Sequence, residues 1–358
     1  MNSMTGFPES GFAIGYDYFG KLREIIDIDS YRSSFLLADE NVFKLYSKRI
    51  GRVFDREISN NRLFTFPADE KSKTLVEVGD ICGQMLERGV SEDAILIAIG
   101  GGAITDLAGL AAAIYRGGID HVNVPTTLSG QIDVSVGGKC AVNIEKLKNV
   151  VGLFNPPGSL LIDPSFLDTL PRERIEEGTL RLLRIAAIAD SDLLTALESI
   201  KFDFIGADDS MKLKLIERAA RLKAAISARE KGGSWQGGIM GLGLITADAI
   251  CAIMDIAEFS RGRALAVGVL TALELSEQMC GFGRDSKRRL FENIRLIYGN
   301  SLKISVDGDR LWTSIKYDKP WGGSEIKFTL LEEIGTPRTK TVYRDQFLAA
   351  YNDVWRYY

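Results

Sequence analysis

"AILIAIGGGAITDLAGLAAAIYRGG", residues 94 to 118, decides the fold of this chain. A short apolar run with isoleucines that ends on glycine predicts a buried strand, and "ITDLAGLAAAIY" after it reads as a helix. A strand, a glycine turn and a helix form the unit from which open parallel α/β sheets are wound. Ligand sites in such sheets lie beyond the strands' carboxyl ends. Gly100, Gly101 and Gly102 lack a Cβ, so the backbone can approach a pyrophosphate whose charge a helix N-terminus favours. Asp106 follows four residues after the last glycine. The spacing is not GxGxxG, so the common dinucleotide fingerprint does not apply, and a glycine triplet alone is equally a tight structural turn.

Working outward, "SSFLLADENVFKLYSKRI" reads as strand, turn and helix, with Asp39 and Asn41 at the strand's carboxyl end. "ADEKSKTLVEVGDICGQMLERGV" reads as a capped amphipathic helix and "HVNVPTTL" as another strand. Past "NPPGSLLIDPSFLDTLPRERIEEG" the pattern becomes helical, from about Gly178 to Gly281, in runs such as "RALAVGVLTALELSEQM". Prolines cluster near residues 160 to 177, which places a domain boundary there. "IKYDKPWGGSEIKFTLLEEIG" predicts a turn followed by a short strand.

Composition narrows the classes. With 358 residues and 46% hydrophobic content, the chain can bury one large core or two moderate ones. A net charge of −4 and 26% charged residues give no reason to expect nucleic acid or an anionic membrane as partner. Asp106 and glycines interrupt the most apolar window, and "MNSMTGFPES" lacks a signal-peptide pattern. Cys82, Cys140, Cys251 and Cys280 form no CxxC pair, which argues against a zinc module or disulfide framework and suits a cytoplasmic protein. The single histidine, His121, rules out any site needing two imidazoles from one subunit.

Residues 124 to 157, "VPTTLSGQIDVSVGGKCAVNIEKLKNVVGLFNPP", concentrate Thr126, Thr127, Asp133, Lys139, Asn143, Lys148 and Asn149 in one loop-rich span. Polar groups set among apolar residues and glycines need partners if buried, which favours a site over a solvated loop.

The succession GGGxxxD, PTTLxxQxDxSVGGKxAVN and KNxxGxFxxP resembles the 3-dehydroquinate synthase family of sugar-phosphate cyclases, in register from about Asp39 to Gly335. The resemblance implies fold class α/β + α. An N-terminal Rossmann-like parallel α/β NAD-binding domain would span residues 1–170, and a mostly helical substrate domain residues 171–358. It also implies NAD as cofactor and a homodimer. Asp39 and Asn41 match adenosine-side positions, and Glu70 and Lys73 match the GExxK segment. Gly101, Gly102 and Asp106 match the pyrophosphate turn and its acid, and Thr126 and Thr127 match the pair beside the nicotinamide. Asp133, Lys139, Lys148 and Asn149 match catalytic polar positions. Arg116 matches the arginine for a substrate phosphate, and Lys223 and Lys319 match two substrate-pocket lysines.

The resemblance breaks where the family binds a divalent metal through one glutamate and two histidines. "GTLRLLRIA" puts Arg181 at the glutamate of GLAEVIKYG and Arg184 at its lysine. "GLITADAIC" puts Leu244 and Asp248 at the two histidines of GHTFGHAIE. "RGRALA" puts Arg261 and Arg263 at the histidine and acid of HGEAVA, and Gly237 and Gly241 replace an arginine and an asparagine upstream. A guanidinium has no lone pair for a metal, so no metal is expected. Arg181, Arg184, Arg261 and Arg263 could replace the metal's charge, bind a carboxylate or phosphate, or pair with acids as a salt-bridge cluster. His121 and Cys140 read as packed side chains.

Three functions stay open: a divergent metal-independent NAD-binding enzyme acting on a small anionic substrate, an inactive NAD-binding relative or partner protein, and a working 3-dehydroquinate synthase.

Overall fold

The structure is a computed structural model that describes residues 11–67, 69–145, 147–230, 238–254, 260–299, 302, 304, 306–318 and 326–356. The described residues fall into two compact units that divide between Pro171 and Arg172.

The first unit runs β1 (Phe12–Ile14), α1 (Leu22–Ile25), β2 (Ser33–Asp39), α2 (Glu40–Ser59), β3 (Leu63–Phe66), α3 (Leu75–Glu87), β4 (Ala94–Gly100), α4 (Gly102–Ile114), β5 (Asp120–Pro125), β6 (Lys139–Ile144), β7 (Leu147–Phe154) and β8 (Ser159–Ile162). Six of these strands form a parallel sheet in the order β1-β8-β5-β4-β2-β3. Helices cover both faces, and strand side chains alternate between two cores. Phe35, Leu37, Leu96 and Ala98 pack with α3 and α4, while Leu36, Ala38, Ile95, Ile97 and Ile99 pack with α1 and α2. Burial on both sides explains the unbroken apolar runs, since each such side chain contributes about 1.5–3 kcal/mol.

The span expected to be loop-rich is more regular than that. A π-helical turn, Gly130–Val134, leads into the antiparallel hairpin of β6 and β7, which pairs Lys139 with Phe154 and Ile144 with Leu147. Gly137 and Gly138 take positive φ ahead of β6, so turn residues masked a strand.

The second unit runs α5 (Arg172–Ala189), α6 (Ser191–Ser199), α7 (Asp209–Arg229), α8 (Leu244–Ile253), α9 (Arg261–Cys280), α10 (Arg284–Tyr298), α11 (Gly308–Asp318), β9 (Ile326–Glu333), β10 (Thr336–Val342) and α12 (Arg344–Val354). The centre is α9, buried without a break from Ala264 to Ser276 and packed by α5, α8, α10, α12 and β9. The single short tail strand expected from sequence is one arm of the β9–β10 hairpin. No helix among the described residues is long and apolar enough to cross a membrane.

Candidate functional site

In the first unit the chain passes from β2 to β3 on one side and then crosses to β4 on the other. This makes the carboxyl ends of β2 and β4 the switch point where such sheets bind ligands. Asp39 ends β2 and caps α2, its Oδ1 accepting from the N–H groups of Asn41 (2.8 Å) and Val42 (3.0 Å). Burial pushes its carboxyl above the ordinary range in spite of those donors. Asn41, two positions on, is exposed.

Gly101 is the N-cap of α4, and no side chain caps that helix. Its first N–H groups therefore offer an anion site. A Cβ on Gly101 would meet Thr127 Cγ2 at 3.2 Å, and one on Gly102 would meet Val134 Cγ1 at 2.7 Å. Only glycine lets the turn lie this close to its neighbours. The N–H of buried Thr126 donates to the carbonyl of Gly100 (2.9 Å), and Thr127 Oγ1 accepts from the N–H of Gly130 (3.1 Å).

Behind this turn the polar residues form one network. Lys73, buried just before α3, ion-pairs with Asp106 of α4 and donates to Asn149 Oδ1 (2.7 Å). Asn149 takes φ +54° and donates its N–H to Asn143 Oδ1 (2.9 Å). Asn143 Nδ2 donates to the carbonyl (2.9 Å) and Oε1 (3.2 Å) of Glu70, and Lys148 Nζ lies 3.7 Å from that same Oε1. Burial holds the Asp106 carboxyl above its usual range, and the positive charges of Lys73 and Lys139 oppose the shift. Asp133 is buried within the π-helical turn. Arg116 is exposed, takes φ +48° and stacks on the Tyr115 ring at 5.7 Å.

In the second unit the arginines at the family's metal positions meet acids. Arg181 on α5 pairs with Glu177 one turn earlier (3.2 Å), and Arg261 on α9 pairs with Asp248 on α8 (3.4 Å). Arg184 is 1% exposed and donates to the carbonyl of Met240, while Arg263 is half-buried. Among the described residues, no three His, Cys, Asp or Glu side chains gather into a group able to hold a metal ion. Leu244 begins α8, Gly241 closes a 3₁₀ turn and Lys223 lies on α7. Lys319 and Gly237 lie outside the described residues.

The family motifs do not single out Glu177 or Tyr298, a buried residue at the end of α10, and they give Asn143 no role. Glu177 carried a signal, an acid one helical turn before Arg181, but it follows Glu176 in a charged run that reads as a solvated face. His121 is 2% exposed on β5, and Cys140 is 3% exposed on β6. A Cβ on Gly109 would meet both side chains, so α4 packs directly over them. Burial and the Asp106 charge push the Cys140 thiol up to about 12, too high for a nucleophile at neutral pH.

The family model described as 3-dehydroquinate synthase N-terminal matches residues 63–177, and the one described as 3-dehydroquinate synthase C-terminal matches residues 178–320. The 3-dehydroquinate synthase of Thermoanaerobacter pseudethanolicus is 30% identical over 335 residues, which cover 93% of this chain and 94% of that protein. The one from Coxiella burnetii is 33% identical over 277 residues, 76% of each chain. Two solved structures share the fold. The 2-epi-5-epi-valiolone synthase of Streptomyces hygroscopicus subsp. jinggangensis 5008, with NAD+ and Zn2+ bound, has a TM-score of 0.84 and 21% identity, covering 100% of this chain and 99% of its own. A 2-deoxy-scyllo-inosose synthase complexed with carbaglucose-6-phosphate, NAD+ and Co2+ has a TM-score of 0.81 and 21% identity, covering 96% of each chain.

Proposed function

The chain belongs to the 3-dehydroquinate synthase family, and on that premise we propose that it is a divergent, NAD-binding, metal-independent member. Its substrate would be a small anion, sugar-phosphate-like or carboxylated, and its chemistry cyclase- or lyase-type in specialised biosynthesis. One contrast carries this reading. The cofactor-side residues are joined in a network around an uncapped helix N-terminus, whereas Arg181, Asp248 and Arg261 stand at the metal positions.

NAD fits the residues present. Asp39 and Asn41 would hold its adenosine side, the Gly101–Gly102 turn its pyrophosphate, and Thr126 and Thr127 its nicotinamide half, with Glu70, Lys73 and Asp106 bracing the turn. When bound, it supplies a hydride acceptor that can return the hydride to the same substrate. A divalent metal does not fit, because two of the three matched positions are guanidiniums and the third, Asp248, already faces Arg261.

Lys139, Lys148, Arg116, Lys223 and Lys319 would bind the substrate's anionic and hydroxyl groups. The Asp133 carboxylate or the Lys148 amine would move a proton, and Asn149 would hold its neighbours in register. Arg261 and Arg263 would stabilise developing negative charge as fixed donors. Arg181 and Arg184, substrate-binding candidates by the same resemblance, would act from their buried positions on α5. A cytoplasmic homodimer without nucleic-acid or membrane partners completes the reading. A catalytically inactive NAD-binding relative is the second reading, favoured by the protein contacts that Arg181 and Arg184 make.

Thermal unfolding with and without NAD tests the premise, followed by a search for an NADH absorbance transient with anionic sugar substrates. NAD at a hundredfold excess over its Kd is expected to add about 2.7 kcal/mol of stability. No shift would remove the cofactor. A shift without a transient on any substrate would move the weight to the inactive relative. Growth of a strain lacking 3-dehydroquinate synthase would make the chain an ordinary synthase.

A further inference from the structure

We propose that Glu177 is the organising charge of a polarity-inverted centre in the second unit, and that it positions Arg261 and Arg263 to receive the anionic group of a substrate. Where relatives gather acids and imidazoles around a cation, this chain gathers guanidiniums around a buried carboxylate. The proposal rests on the metal-free reading above.

Both oxygens of Glu177 are engaged from its own helix. Oε1 lies 3.2 Å from Arg181 Nη2, and Oε2 lies 3.3 Å from Arg174 Nη1. The residue is 8% exposed, a depth at which a lone carboxylate would be strongly disfavoured. Burial alone would raise its pKa, yet Arg181, Arg261 and Arg174 outweigh burial and hold it below the usual glutamate range. It is therefore an anion on which three helical turns of positive charge converge.

The first turn of α9 is pressed against the Cα and Cβ of Glu177. A Cβ on Gly262 would lie 3.1 Å from Glu177 Cβ and 2.5 Å from the Tyr298 hydroxyl of α10. Glycine at this position lets α9 seat on α5, and the residues on either side of it are Arg261 and Arg263. Seating Gly262 fixes where both guanidiniums start. Arg261 then reaches Asp248 on α8 at 3.4 Å, its side chain 19% exposed, while half-buried Arg263 acts on the Tyr298 hydroxyl through space. Ser260 caps the same turn, its Oγ accepting from the Arg263 N–H (3.4 Å). Two planar forks on a rigid helix start suit a phosphate or carboxylate and repel a divalent cation.

The test uses full-length protein saturated with NAD, so that the cofactor turn is filled, and follows thermal unfolding while inorganic phosphate is titrated against sodium chloride at matched ionic strength. Phosphate is expected to raise the wild-type Tm saturably, and chloride is not. Glu177→Gln should weaken the apparent phosphate affinity at least tenfold and leave the NAD-induced shift within twofold. Glu177→Asp, which keeps the charge, should restore most of that affinity. Arg263→Ala should lose phosphate binding from an unchanged starting Tm, and it decides the matter with Glu177→Asp if the glutamine variant does not fold. A wild type indifferent to phosphate overturns the proposal. So do Glu177 variants and Arg263→Ala that keep phosphate affinity within twofold, which would leave Glu177 a structural ion pair. Stoichiometric zinc in the wild type would sink the metal-free reading itself. An absent NAD shift would sink only the cofactor assignment, since phosphate can then be titrated alone.

Discussion

His121 shows how one buried residue sets a pH dependence. It is the chain's single histidine, 2% exposed, and its Nε2 has no hydrogen-bond partner among the described residues. Burial disfavours the imidazolium and pushes the pKa from 6.5 down to about 4. The folded state thus holds a neutral ring while the unfolded chain takes up a proton near pH 6.5. The stabilisation is complete above pH 6.5 and is lost as pH falls to about 4. At 1.36 kcal/mol per unit, the loss is about 3 kcal/mol. Urea denaturation of the wild type and His121→Leu across this range is expected to show that extra decline only in the wild type. Parallel curves would mean that water or a neighbour solvates the ring. A single histidine is legible in the chain and excludes any site needing two imidazoles from one subunit, but only packing against Gly109 shows that the ring is locked away.

At the scale of elements, Lys73 ties three of them together, standing before α3, pairing with Asp106 on α4 and donating to Asn149 on β7. Removing one partner of a buried pair strands the other charge, which costs about 3–5 kcal/mol, whereas replacing both can be close to neutral. Lys73→Met is therefore expected to lower stability by about that amount, and Lys73→Met with Asp106→Leu to recover most of it. Chemical denaturation of Lys73→Met, Asp106→Leu and the double variant closes the cycle, and a double loss equal to the sum of the two single losses would show that the pair has no coupling. NAD binding should weaken in Lys73→Met and in the double variant, because the turn at Gly101–Gly102 loses its brace. These residues were individually legible through the family motifs, but the network was not. Asn143 joins Glu70 to Asn149 only because β6 and β7 pair as a hairpin, and the glycines and lysines of that span conceal strand periodicity. The strands β2, β4 and β5 were legible because burial on both faces leaves apolar runs that end on turn residues.

Across the whole molecule, the two units were legible to different depths. The α/β unit repeats one local rule, strand then turn then helix, so its sheet follows from sequence. The helical unit gave its helices by periodicity, and Glu177 lies one turn from Arg181 on the same helix, but the pairing of Arg261 with Asp248 depends on how α9 packs on α8, which no local pattern encodes. The consequence concerns metal. A protein holding a metal at a thousand times its Kd gains about 4 kcal/mol of stability from it, and a chelator removes that gain. With Arg181 on Glu177 and Arg261 on Asp248, the second unit carries its centre as internal ion pairs, which a chelator cannot extract. Dialysis against EDTA is expected to leave both the Tm and the NAD-induced shift unchanged. Elemental analysis after incubation with zinc, cobalt or manganese should find less than a tenth of an equivalent bound. A chelator-sensitive Tm together with one equivalent of metal would mean that Asp248 leaves Arg261 to bind it, and the ordinary metal-assisted chemistry of the family would return as the better reading.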